Sequence, residues 1–503
     1  MRAFAALIFI FATLSAATMH NSHQHQHGRR QRNTSNSSSH SALIVSAWYT
    51  GWHTTDFSLE DVSWSKYTHM AYAFAITTPK PSVISLESSD QQLLPEFVAA
   101  AHKHGIKASL SIGGWTGSRF FSSNVGSPTN RTAFVKAVTD LVEEYALDGI
   151  EFEYVPNLLS RHLSSFDYSW EYPGLQGIGC NLVNSSDTSN FLDFLKELRS
   201  SSTGQNLILS AAVYTKPFAD STGQSSTNLS EFSHVLDYIT IMNYDTKSTP
   251  SSGAGPDAPL DDSCAPTGSQ TGSARASVSA WTAAGIPVNQ IVLGVPAYGH
   301  SYIIPSSVTL SGEGSDTTLS LYPTYTANST RKGDRWDGDG GLDVCGNTIG
   351  PGGIYTYWGL IQEGFLNSDG TIPDDINYRF DDCSQTPFSY DKTKQVYISY
   401  DDAQSFAIKG NWINITGLAG FAMWEAGGDY KDVLLDSILS AARNGDPSRL
   451  PPSSNVGNTA PRTSSASSKL PVPQSAHLLR YLIAVTIAPL SLSSLLLSPC
   501  ILV

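Results

Sequence analysis

Two acidic stretches carry residue types at a spacing that could do chemistry. Residues 147–153 read LDGIEFE, and residues 170–174 read WEYPG. Side chains on a β-strand alternate between two faces. Exchanging Glu153–Ser169 for one Asp would join the stretches as LDGIEFDWEYPG, with Glu151, the new Asp and Glu171 on one face. Carboxylates crowded in this way raise one another's pKa, so the terminal one can stay protonated near neutral pH and serve as a general acid. In the chain as it stands, the position two beyond Glu153 is Val155, and the carboxylate suited to that place is Glu171, displaced downstream. Taken alone, LDGIEFE also reads as a merely acidic strand end.

The intervening segment Tyr154–Ser169 carries no turn pattern suited to such a strand end. Its boundaries suit a translated, retained intron. Glu-Tyr-Val can be encoded GA|GTACGT, a splice-donor pattern, and Phe-Asp-Tyr-Ser can end in TATAG, an acceptor. Excision joins GA to T and codes for the Asp that the joined stretch requires. A genuine loop insertion in a diverged, inactive relative is the alternative.

These carboxylates need a scaffold. Short β-rich runs alternate with helical patterns, which predicts βα units around a parallel sheet. The expected strands are Leu43–Trp48, Met70–Ala75, Lys107–Ile112, Gly149–Glu153, Leu207–Val213, Tyr238–Tyr244, Ile291–Ala297 and Gly420–Trp424. Eight is the number of strands in a (β/α)8 TIM barrel, whose inward faces and strand C-termini form the active-site mouth. Helical stretches lie between them, at LLPEFVAAAHKHG, FVKAVTDLVEEYALDG and NFLDFLKELRSS. Two of these end in Gly, a helix-stop signal. Residues 301–393 are too long for a loop between the seventh and eighth strands. They carry their own Gly, Pro and aromatic content and read as an insertion, whose Trp336, Tyr355, Tyr357 and Trp358 either stack on ligand or pack within it.

The joined stretch resembles the DGxDxDxE strand of family 18 glycoside hydrolases, the chitinase family. Further motifs follow in barrel order: AWYTGW on the first strand, SIGGW at Ser111–Trp115, IMNYD at Ile241–Asp245, GVPAYGHSY on the seventh strand and GFAMWEAGGD on the eighth. The resemblance covers nearly all of residues 43–443 and implies that the insertion at 301–393 is the small α+β insertion found in many chitinases. It implies a secreted, fungal-type chitinase that cleaves β-1,4-linked N-acetylglucosamine polymers by substrate-assisted retention, in which the sugar's own 2-acetamido carbonyl attacks the anomeric carbon. By that resemblance Glu171 protonates the glycosidic oxygen, while Asp148, Glu151 and Glu153 complete the acidic strand. Tyr244 holds the acetamido carbonyl, Trp424 floors the sugar at the cleavage point, and Asp245, Met242, Gly113, Gly114, Trp115 and Tyr49 line the substrate. Glu151 stands where the family usually has Asp, and the break after Glu153 sets the activity of this chain in question. No metal or cofactor is implied, and a monomer is expected. The rival readings are a chitinase-like chitin-binding lectin that keeps the cleft without the acid, and an endo-β-N-acetylglucosaminidase.

The ends of the chain point outside the cell. Residues 1–17 form a signal peptide: one Arg, an apolar run and small residues. Residues 18–42 are His- and Ser-rich and are expected to be disordered. The barrel spans 43–445, a Ser/Pro-rich linker 446–477, and an apolar tail 478–503. Small residues near Ser464–Ser468, a polar spacer and that tail resemble a GPI-attachment signal, with a membrane-spanning tail as the alternative. Sequons at Asn130, Asn184, Asn228, Asn328 and Asn414 fit a secreted surface. A net charge of −14 argues against nucleic acid as a partner and is compatible with a neutral polysaccharide. Cys180, Cys264, Cys345 and Cys383 lie in the barrel domain and Cys500 in the tail, so removal of the tail leaves an even number. Cys345 with Cys383, both in the insertion, and Cys180 with Cys264 are the expected bridges.

Overall fold

The computed structural model describes residues 42–153, 180–246, 253–312, 318–326, 330–446 and 448. Eight parallel strands form a closed barrel: β1 (Ile44–Thr50), β2 (His69–Thr77), β3 (Lys107–Gly113), β4 (Gly149–Glu153), β5 (Ile208–Val213), β6 (Tyr238–Met242), β7 (Ile291–Pro296) and β8 (Gly420–Trp424). Each pairs with its neighbour in sequence, and β8 closes on β1 through Ile44–Gly420 to Ala47–Met423. Helices cover one face and the barrel interior the other, so these strands read as nearly unbroken buried runs.

β4 shows how alternation sorts its side chains. Phe152 points outward and packs edge-on against Phe191 and Phe194 of the helix Asp187–Ser200, at 5.8 and 5.3 Å between ring centroids. Glu151 and Glu153, one residue to either side, are buried on the other face. The helix Ser88–Lys103 buries Leu94, Phe97, Val98 and Ala101 against the sheet, and Gly105 follows it at φ +73°. The helix Pro128–Tyr145 does not stop at the expected glycine: Ala146 takes the left-handed cap at φ 53°, and Gly149 opens β4 instead.

The insertion begins directly after β7. Strand Tyr298–Ile303 pairs antiparallel with Ile354–Thr356 on one side and Val396–Ser399 on the other, and Thr386–Asp391 and Ile376–Asp381 complete a five-stranded sheet. The short helix Tyr357–Gln362 follows Ile354–Thr356. The insertion is therefore α+β as expected, and its sheet reaches Ser399.

The cysteines pair differently from expectation. Cys180 bonds Cys345 and Cys264 bonds Cys383, with Cα separations of 5.6 and 5.8 Å. Both expected pairings fail for one reason. Cys345 sits in the turn of the exposed hairpin Gly341–Ile349, whereas Cys383 sits in the turn between Ile376–Asp381 and Thr386–Asp391, so the insertion presents its two cysteines to different loops of the barrel. Each bridge thus staples the insertion to a loop after a barrel strand.

The leader at 1–17, the segment 154–169, Glu171 and the tail at 478–503 lie outside the described residues. No helix among the described residues is long and apolar enough to cross a membrane.

Candidate active site

The acidic strand ends in the barrel interior. Trp48 on β1 donates its indole N–H to Glu151 Oε2 at 2.6 Å. Burial pushes the Glu151 carboxyl up to about 7, and the Trp48 donor only partly opposes that. Glu153 is the last residue of β4, buried at the mouth. Its carbonyl accepts from Ser118 Oγ at 2.6 Å.

The two glycines of SIGGW make this approach possible. Gly113 adopts φ +121°, and a Cβ there would lie 2.0 Å from the Glu153 carbonyl oxygen. Gly114, at φ +74°, would place a Cβ 2.8 Å from the Phe74 ring. Neither position admits a side chain, so the β3–β4 edge closes tightly where the carboxylates converge. Trp115 follows on the short helix Gly114–Gly117 and is partly exposed.

Across the barrel, Trp424 ends β8. Its ring stacks on Phe74 at 5.7 Å and meets the edge of Trp48 at 5.6 Å. Trp52 also stacks on Phe74, at 6.0 Å, and is 55% exposed. Together they form an aromatic floor running from the carboxylates outward. Tyr244 and Met242 belong to the same interior cluster as Trp48 and the inner residues of β5 and β7. Asp245 follows at φ 56°, with its carboxylate half open. Asp245 Oδ1 accepts from Tyr298 Oη at 3.0 Å and from His300 Nε2 at 2.6 Å. Asp245, Asp257 and His300 are the described side chains that could share a metal ion, with candidate ligand atoms within 4.8 Å of one another. Hydrogen bonds already join them.

Two of the expected site residues lie elsewhere. Tyr49 faces the helical shell: its ring packs on Phe97 at 5.7 Å, and its hydroxyl bonds Thr54 Oγ1 and donates to the Phe57 carbonyl. Trp48, one residue earlier, holds the inward position, because a one-residue step along a strand reverses the face. Asp148 sits at the opposite end of β4, on the bottom of the barrel, paired with His102 and Lys107 at 2.8 Å each. It caps the Ala108 N–H at 3.0 Å and is an anchor between strands. Glu171 is not among the described residues.

The insertion supplies one wall. Trp336 stacks on His53 at 3.7 Å and donates to Asp56 Oδ2 at 2.7 Å. His53 bonds Glu425, which also accepts from Thr50 Oγ1. Tyr355 and Tyr357 are buried within the insertion. The motifs did not single out Trp48, Phe74, His53 or Asp257. Only the strict alternation along β1 and β2 could have marked the first two.

The comparisons agree with this geometry. The model for glycosyl hydrolases family 18 matches residues 44–429. A chitinase-like effector of Moniliophthora roreri is 44% identical over 87% of this chain and 97% of its own length. A similar effector of Moniliophthora perniciosa is 43% identical, over 80% of this chain and 88% of its own length. The crystal structure of a chitinase from Rhizomucor miehei superposes with a TM-score of 0.66 at 33% identity, covering 79% of this chain and 99% of that one. The chain, with its closed barrel, its two buried carboxylates on one face of β4 and its aromatic floor, belongs to family 18 of the glycosyl hydrolases.

Proposed function

We propose that the protein binds oligomers of β-1,4-linked N-acetylglucosamine in this cleft, and that it is a chitinase whose hydrolytic step depends on the interrupted acidic strand. One observation carries the reading: the Trp424–Phe74–Trp52 floor lies at the same barrel mouth as the Glu151–Glu153 stack, with Tyr244 and Asp245 on the adjoining wall. An aromatic floor suits the apolar face of a sugar ring. The carboxylates then serve the acetamido group above it. Glu153 orients the acetamido nitrogen, Tyr244 holds its carbonyl, and Glu151 stores a proton near neutral pH behind them. Protonation of the leaving oxygen needs a further carboxylic acid, and the sequence has Val155 where that acid is expected.

The chain as it stands is therefore expected to bind chitooligosaccharides and to turn them over poorly. The names of the two effector relatives favour the same outcome, a chitinase-like binding protein. Calorimetry with chitotetraose, run beside a product assay on the same oligomer, tests this. Binding without turnover supports the reading. Absence of binding overturns it, and efficient turnover overturns the role assigned to the interruption.

Secretion and surface anchoring are part of the same proposal, supported by the leader, the sequons and the apolar tail. The two bridges fit an oxidising compartment. A phosphatidylinositol-specific phospholipase is expected to release the mature protein from membranes. Retention after that treatment would favour a spanning tail.

A further inference from the structure

The barrel domain carries Asn-x-Ser/Thr triplets at Asn130, Asn184, Asn228, Asn328 and Asn414, and the fold treats them differently. Such a triplet takes a glycan on the Asn side-chain nitrogen, so the folded protein must leave that amide room for a bulky sugar. Asn328 lies outside the described residues.

Asn184 lies in the loop between β4 and the helix Asp187–Ser200. It is exposed, as are Leu182 and Val183 before it, at 46% and 41%. Its Oδ1 accepts from the Ser186 N–H at 2.9 Å, which bends the triplet into an Asx turn. Its backbone is tied on both sides to one residue: the N–H donates to Asp187 Oδ2 at 2.8 Å, and the carbonyl accepts from the Asp187 N–H at 3.0 Å. The turn is held by the backbone and Oδ1, and Nδ2 makes no bond among the described residues. Asn228 repeats the pattern. Its Oδ1 accepts from the N–H and the hydroxyl of Ser230, at 3.1 and 2.8 Å. Leu229, between them, is buried, and its N–H donates to the Ala284 carbonyl at 2.6 Å, so exposed Asn228 stands on a fixed backbone.

Asn130 and Asn414 are instead committed to packing. Asn130 is partly buried in the first turn of the helix Pro128–Tyr145, and its Nδ2 donates to the Ser123 carbonyl at 2.7 Å. The hydroxyl of Thr132, which completes its triplet, donates to Glu197 Oε1 at 2.6 Å. Asn414 lies on the surface near the end of the helix Ala403–Thr416, but its Nδ2 donates to the Ala442 carbonyl, at 2.7 Å, in the helix Val433–Asn444. Room around that amide is small: a Cβ on Gly445 would lie 2.3 Å from Asn414 Oδ1. A glycan leaves Nδ2 one hydrogen, yet at either position the sugar must pass between packed segments.

We propose that Asn184 and Asn228 carry N-linked glycans and that Asn130 and Asn414 stay unmodified. The proposal rests on the reading of the protein as secreted. The donor is an oligosaccharide held on a polyprenyl diphosphate. Asn Nδ2 attacks the anomeric carbon and gives up one proton. The bond from that carbon to the diphosphate oxygen breaks, and the lipid diphosphate leaves with the electron pair. The Asn184 glycan then stands on the strand-to-helix loop after β4, at the barrel face that carries the mouth, just beyond Cys180 and its bridge to Cys345.

The test uses the full chain produced in a eukaryotic secretory host. The product is digested with peptide-N-glycosidase in heavy-oxygen water, which turns each glycosylated Asn into an isotope-marked Asp. Peptide mass spectrometry reads the triplets one by one. Marks are expected at Asn184 and Asn228, with Asn130 and Asn414 unmarked. Ser186→Ala and Ser230→Ala leave each Asn in place and should each remove the mass of one glycan. The Ser186 side chain does not cap its helix, so this variant is expected to fold as the parent does. The map of the parent decides the assignment without either variant. Exported protein that is unmarked at Asn184 or Asn228, or marked at Asn130 or Asn414, overturns the assignment alone. Protein that stays in the cytosol with every triplet unmarked overturns the secretion reading and the assignment with it.

Discussion

Asp148, just before β4, and Glu151, within it, lie three residues apart, yet their carboxyls are shifted in opposite directions. At the bottom of the barrel, burial works against ionised Asp148, but Lys107, the Ala108 N–H and His102 outweigh it and hold the carboxyl below its usual range. In the interior, burial dominates, and the Trp48 donor leaves Glu151 near 7. The lesson is one of position. A strand can carry an acidic residue at its base as an anchor and another near its mouth as a proton store, and the sequence letters alone do not distinguish them. Barrel architecture does, because reacting groups gather at strand C-termini while the N-terminal face serves stability.

The largest expected effect sharpens the functional end of β4. Replacing Glu153–Ser169 by one Asp is expected to create cleavage of chitooligosaccharides where the chain as it stands shows little. In that shortened protein, Glu171→Gln is expected to lower turnover by roughly 100- to 10,000-fold, the worth of a general acid, while leaving chitotetraose binding largely intact. Initial rates from product chromatography provide the check. A shortened protein that binds and does not cleave would leave a binding function as the reading of the family member.

Next in size is the effect of Glu151 on stability. Its folded pKa lies near 7 and its unfolded one near 4.5, so the folded protein binds the extra proton between them. Stability therefore falls as pH rises through that window and stays lowered above it. Glu151→Gln removes this slope, and relative to the parent it is expected to gain stability above about pH 7, on the order of 3 kcal/mol at most. Denaturant midpoints measured at about pH 4.5 and about pH 8 decide it. Equal slopes for parent and variant would mean that Glu151 is not the buried proton store.

Much of this was legible in the sequence, for identifiable reasons. Barrel strands buried on both faces leave apolar runs bounded by turn residues, so all eight were found within two residues at each end. The SIGGW glycines were legible because only glycine fits where a Cβ would meet the Glu153 carbonyl. The same two-sided burial hid the inward face of β1. In AWYTGW both Trp48 and Tyr49 are 1% exposed, so hydrophobicity could not say which aromatic looks into the cleft. Four cysteines allow three pairings, and the spacing within the insertion favoured the wrong one, because the turns bearing Cys345 and Cys383 meet different loops. Asp257 carries no local signal, and the GVPAYGHSY run that contains His300 does not show that its imidazole meets the end of β6.

Trp48→Phe tests the link between the floor and the carboxylates. It keeps the ring and removes the indole donor to Glu151. A buried carboxylate that loses a donor is expected to cost about 1–3 kcal/mol of stability at alkaline pH, read from the denaturant midpoint. Because that donor favours the ionised form, Glu151 should also titrate higher, moving the stability slope to higher pH. An unchanged slope would assign Trp48 a packing role only.

The smallest expected effect lies at the other end of the strand. Asp148→Asn removes the charge that pairs with His102 and Lys107 and leaves an oxygen that can still cap the Ala108 N–H. His102 and Lys107 are both substantially exposed, so solvent screens the pairs and the loss is expected to be about 1 kcal/mol at neutral pH. Since the folded carboxyl is held below its unfolded value, this contribution is present above about pH 4 and disappears as pH falls through the folded pKa. Parent and variant should therefore converge in acid, and they should differ less in high salt. Chitotetraose affinity should be the same for both proteins at every pH. A measurable loss of binding would place Asp148 in the site and erase the contrast between the two ends of β4.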